Sequence, residues 1–117
     1  MVNHIVHVGH LFVRIAGISG ALAVGLGAYG AHGLKNRTDK EREVFMTANR
    51  YHMLHTLALL AVPLTNQPNM VGVTMLLGML GFCGTCYYSA LSGDTSLNRF
   101  TPYGGVTLMI AWAMMAL

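Results

Sequence analysis

The stretch NRYHMLHTLALLAVP, Asn49–Pro63, decides how the rest of the chain is read. It opens with a cation and two histidines and then continues as an unbroken apolar helix pattern. On a helix, Phe45, Asn49, His52, Thr56 and Leu59 recur at three- and four-residue steps and share one face, with His55 beside them. Arg50 points elsewhere and reaches towards an interface. Asn49, His52, His55 and Thr56 therefore form a polar stripe on an apolar helix. Such a stripe is expensive against lipid and is expected to face a bundle interior or a wet cavity.

Working outward, no Asp, Glu, Lys or Arg occurs from Tyr51 to Gly93. Charged residues make up 9% of the 117, against about 25% in soluble domains. The apolar fraction is 54% and the mean hydropathy +0.52. The chain has one domain's worth of residues and too few charges to coat a water-facing surface, so its long apolar stretches read as membrane segments. Net charge is +3, with the basic residues of Lys35–Arg50 interleaved with Asp39, Glu41 and Glu43. That interleaving argues against a nucleic-acid groove, and no nucleic-acid partner is expected.

The pattern predicts an all-α fold, an integral membrane four-helix bundle with helices over about 11–31, 38–64, 70–91 and 102–117. Arg14 snorkels near the start of the first. Thr38 and Glu41 form a capping-box signature at the second, and PLTNQPN, residues 63–69, is a polar break. Met70–Leu91 is long enough to cross at ~1.5 Å per residue. Thr101 is expected to cap the fourth helix, with Pro102 at its first position. That helix is short and tilts little or thins the bilayer. Gly20, Gly27, Gly30, Gly78, Gly81 and Gly84 are expected to let helices approach closely. A competing reading makes the first segment a cleaved secretory signal, although its apolar run exceeds the usual ~7–15 residues.

Alternating crossings gather loops 31–44 and 92–101 on one face. That face collects Lys35, Arg37, Lys40, Arg42, Arg50 and Arg99, and the positive-inside rule places it in the cytoplasm or matrix. The same alternation brings four polar helix ends together. The expected cluster contains His32, Asn49, Arg50, His52, His55, Thr56, Tyr88, Asp94 and Thr101, with Tyr87, Ser89, Ser92 and Tyr103 at the same depth. Its members either tie helix ends whose backbone groups need partners in a membrane, bind a ligand, or dock another subunit. As ligands, His32, His52 and His55 would suit haem iron or a transition-metal ion. A haem would take His32 with His52 or His55 from different helices.

Other motifs carry less. GLGAYG (Gly25, Gly27, Gly30) matches a dinucleotide fingerprint only by spelling, since no βαβ context surrounds it. Cys83 and Cys86 lack the second pair that a zinc site wants and read as packing thiols. They leave the redox compartment undetermined. His4, His7 and His10 recur every three residues. A free amine at Val2-Asn3-His4 would suit Cu(II) or Ni(II), but an interfacial tail is the plainer reading. The nine methionines scatter as gap fillers.

Four motifs carry a family resemblance: GAYGAHGL (27–34), FMTANRYHMLHTLALLAVP (45–63), YYSALSGD (87–94) and TPYGG (101–105). Through them the chain resembles the transmembrane protein 256 family, also called domain of unknown function 423, and ALSGD resembles its animal branch. The likeness covers Gly17–Leu117. It implies a small multi-helix membrane protein, of the mitochondrial inner membrane in animals and the plasma membrane in bacteria, with no established activity or cofactor. The recurring family positions fall here on Gly30, His32, His52, His55, Gly93, Pro102 and Gly104. The expected role is non-enzymatic: an accessory or assembly component, partnered by lipid and by other membrane subunits or copies of itself.

Overall fold

The computed structural model describes the backbone of residues 2–117 and the side chains of residues 7 and 9–117. The fold is an all-α integral membrane four-helix bundle, with no strand among the described residues. Its rods are α1 (Val2–His32), α2 (Asp39–Ala61), the composite Pro68–Ser92, and α5 (Thr101–Met115). The composite comprises α3 (Pro68–Met79), a π turn (Leu80–Gly84) and α4 (Thr85–Ser92). Two of the rods, over Gly9–His32 and Pro68–Ser92, are long and apolar enough to cross a bilayer. Only 17% of the apolar window in α1 is buried. Ile18, Leu22 and Val24 stand more than half exposed, as do Met109 and Tyr103 on α5. A water-soluble monomer rarely shows so much contiguous apolar surface.

Local chemistry sets the rod ends. The Thr38 hydroxyl accepts from the Glu41 N–H at 3.1 Å, while the Glu41 carboxylate accepts from the Thr38 N–H at 3.3 Å. The predicted capping box is thus formed. Gly93 ends α4 in the left-handed region, φ 76°, and its N–H reaches Ser89 O at 2.9 Å. A side chain there would be strained. The start of α5 departs from expectation. A 3-10 turn, Ser96–Phe100, runs directly into the helix, so Thr101 lies inside it and caps nothing. Its hydroxyl instead meets that of Thr85 at 2.6 Å across the rods.

The π turn was not foreseen. The Thr85 hydroxyl donates to Gly81 O (2.7 Å) and Phe82 O (3.1 Å), helping to satisfy carbonyls in the widened turn. Gly81 and Gly104 then sit back to back. A Cβ on Gly81 would lie 3.1 Å from Gly104 Cα. A Cβ on Gly78 would fall 2.8 Å from the Leu108 side chain, and one on Gly30 2.5 Å from Phe45. Gly27 gives Asn49 room to approach α1, and Gly20 faces Thr56. Gly84 differs: it is exposed, and a Cβ there would meet nothing within 4 Å.

Both hinges, 33–38 and 93–100, lie at one end, where Arg37 donates to Leu91 O and to Glu41. The opposite end brings Gly9 against Pro63, and Asn66 Nδ2 donates to Leu117 O at 2.7 Å. One apolar core, built on Phe12, Leu59, Val62, Val71, Met75 and Leu108, fills that second end. A smaller one, Leu34, Phe45 and Ala90, fills the hinge end. On α2 the polar stripe falls between them.

Candidate functional site

The stripe meets a partner from every other rod. On one flank, Asn49 Nδ2 donates to the Ala23 carbonyl of α1 (2.8 Å) and to the Tyr87 hydroxyl of α4 (3.2 Å). The carbonyl only accepts, which fixes the amide orientation. His52 lies between Tyr87 OH, 3.0 Å from Nδ1, and Ser19 Oγ, 2.9 Å from Nε2. Ser19 Oγ also lies 2.6 Å from Thr56 Oγ1, and the Thr56 hydroxyl donates to the His52 carbonyl at 2.7 Å.

The proton positions follow from these distances. The single proton of Thr56 goes to a carbonyl, so Ser19 must donate to Thr56. With its proton spent, Ser19 must accept from His52, which puts the ring proton on Nε2. Nδ1 of the neutral ring then accepts from Tyr87 OH, which itself accepts from Asn49. One ordered chain results: Asn49 to Tyr87 to His52 to Ser19 to Thr56 and back to the His52 carbonyl.

His55, buried on the other flank, has the opposite tautomer. Its Nδ1–H donates to the Tyr51 carbonyl at 2.7 Å, and its Nε2 accepts from Trp112 Nε1–H of α5 at 3.0 Å. The Tyr51 ring stacks on the imidazole, 5.8 Å between centroids and 10° between planes. All four ring nitrogens of His52 and His55 are thus committed to the fold.

The four helix ends do not merge into one cluster. Tyr88 OH donates to Asp94 at 3.0 Å, and Asp94 accepts the Ser96 N–H at 2.9 Å, forming a separate group at the hinge end. That backbone N–H is the main cause holding the Asp94 carboxyl below the ordinary carboxylate range. Glu41 is also lowered, chiefly by hydrogen bonding to Thr38. Thr101 pairs with Thr85. His32 and Arg50 are exposed, and among the described residues neither hydrogen-bonds to the stripe.

As a ligand set, His32, His52 and His55 do not converge: among the described residues no three His, Cys, Asp or Glu side chains stand close enough to hold a metal ion. Ligation at His52 or His55 would also displace Tyr87 or Trp112 from the ring lone pair. Cys83 and Cys86 are buried free thiols. The possible amine site at Val2-Asn3-His4 lies outside the described residues. Sequence reasoning missed Ser19 and Trp112. A tryptophan N–H facing lipid needs an acceptor within the protein, and this chain has one tryptophan, which is 48% exposed.

Residues 26–105 match a family model described as protein of unknown function, DUF423. The chain belongs to the DUF423 family. Among its relatives is the UPF0382 membrane protein YwdK of Bacillus subtilis, 36% identical over 112 residues, covering 89% of this chain and 91% of that one. A UPF0382 membrane protein of Schizosaccharomyces pombe is 37% identical over 112 residues, covering 87% and 95%. A Staphylococcus saprophyticus UPF0382 membrane protein is 34% identical over 113 residues, covering 92% and 94%. No solved structure matches the chain. The matched DUF423 region holds Asn49, His52, His55, Thr56 and Tyr87, whereas Ser19 and Trp112 lie outside it.

Proposed function

We propose that this protein is a non-enzymatic accessory subunit of a larger membrane assembly, docking through the outer face of α1. The observation that carries this reading is a row of small, exposed residues: Gly17, Ala21, Gly25 and Ala28. They lie on the side of α1 opposite the buried Phe12, Ala16 and Ala23. A Cβ on Gly17 or Gly25 would meet nothing within 4 Å, so the face has no partner in the monomer. Small residues at three- and four-residue steps on one helix face let a second membrane helix approach closely.

The interior supports the same reading. Among the described residues, no buried side-chain nitrogen or oxygen lacks a hydrogen-bond partner. The polar groups are used to tie rods together rather than being left free for substrate. The resemblance to animal members favours the mitochondrial inner membrane. Lys35, Arg37, Lys40, Arg42 and Arg99 near the hinge end favour matrix exposure of that end.

The test is native electrophoresis of digitonin-solubilised membranes carrying the wild type or the Gly17→Leu/Gly25→Leu variant. The wild type should migrate in a particle well above its own mass plus detergent. The variant should run as a small species with unchanged helicity. A wild type that runs alone, or a variant that stays in the large particle, contradicts the reading. A particle containing only this chain would replace the accessory role with self-association.

A further inference from the structure

α1 and the α3–α4 rod diverge near their middles and leave a groove of about 350 Å³, with α2 as its back wall. This is within the size range of small-ligand sites. Its apolar lips include Ile18, Leu22 and Leu80, which are 67%, 58% and 71% exposed, so it opens sideways into the bilayer. Its polar lining comprises Ser19, His52 and Tyr87. The π turn runs along one wall, and such turns often occur at functional sites.

We propose that this groove binds an uncharged lipid bearing a hydroxyl group. Charged heads are disfavoured because there is no Lys, Arg, Asp or Glu over Ile15–Leu34 or Tyr51–Gly93 to pair with them. A buried unpaired charge is far more costly than a neutral hydroxyl. The proton order along the chain defines what the polar lining offers. The His52 Nε2–H is already given to Ser19 Oγ, 2.9 Å away, and Ser19 donates to Thr56, so Ser19 Oγ keeps one unused acceptor site. A ligand hydroxyl can donate its proton to that Ser19 site as an added link. An alkane chain matches only the lips. A sterol, a long-chain alcohol and a quinol each supply the required chemistry.

The test is photo-crosslinking of the full-length protein in phosphatidylcholine proteoliposomes with a diazirine-bearing decanol. Label should map to Ile18, Leu22 and Leu80. Decanol should compete about tenfold better than decane at equal mole fraction in the bilayer, the equivalent of one hydrogen bond. Leu22→Trp fills the groove without touching the polar chain and should abolish labelling while helicity is retained. Ser19→Ala should bring decanol down to the level of decane. Competition by a sterol or by a short-chain quinol then identifies the source of the hydroxyl. Equal competition by decane and decanol would show that the groove holds only acyl chains and would overturn the proposal. Unchanged labelling of Leu22→Trp would also overturn it.

Discussion

Replacing Gly104 by alanine tests the packing most sharply. A Cβ there would lie 2.5 Å from the Gly81 carbonyl carbon and closer still to Phe82 N, both backbone atoms that cannot rotate away. Carbon atoms prefer about 3.5–4.0 Å, so α5 and the π turn must separate by roughly 1 Å. A gap of that size forfeits about a quarter to a half of each affected contact. It also stretches the Thr85–Thr101 hydroxyl contact, now 2.6 Å. Overpacking typically costs about 1–3 kcal/mol, offset by at most ~1 kcal/mol of alanine helix propensity. With the full offset the net loss should be up to about 2 kcal/mol. Gly84→Ala is the matched control, because Gly84 already has helical angles, φ −61° and ψ −46°, and open space where the methyl would go. It should be neutral or stabilising by up to ~1 kcal/mol. Reversible SDS titration in mixed micelles, followed by far-UV circular dichroism, measures both. Equal stability of the two variants would refute the close approach at Gly81 and Gly104.

Three other expectations follow from named contacts. Trp112→Phe removes the donor to His55 Nε2 and should cost about 1 kcal/mol in the same titration, with a double-mutant cycle against His55→Leu returning most of that as coupling. Glu41 and Asp94 both have lowered folded-state pKa values. Their contribution is therefore complete above the unfolded carboxylate pKa and is lost as pH falls through the lowered folded value. The thermal midpoint should hold from neutral pH to the carboxylate range and then drop, and the gap between wild type and Asp94→Asn should close over that drop. Impermeant maleimide should label Asn36→Cys and Asn66→Cys from opposite sides of the membrane in a Cys83→Ser/Cys86→Ser background; labelling from one side would contradict the hairpin topology.

The four rods are legible because they rest on strong local signals: long uncharged apolar runs, the Thr38 capping box, and the prolines at 63 and 68. The face shared by Asn49, His52 and Thr56 is also legible, since helical spacing alone places them together. Their partners are not. Ser19 sits in a glycine-rich run whose phase against α2 depends on packing, and Trp112 reaches His55 only through the rotation of α5. The π turn escapes because a widened turn and an ordinary one share the same apolar pattern. Alternating topology predicts which helix ends are neighbours but not which side chains turn inward, so His32 and Arg50 ended up exposed, away from the stripe. The packing glycines divide the same way: Gly81 faces Gly104, whereas Gly84, three residues on, faces outward.

The central claim is that both stripe histidines are neutral interhelical ties in opposite tautomers. Nitrogen-15 NMR of histidine-labelled protein in lipid at neutral pH reads this directly. His52 should show a protonated Nε2 and an unprotonated Nδ1, and His55 the reverse, both fixed on the NMR timescale. Identical tautomers, charged rings, or rapid exchange at either position would contradict the account.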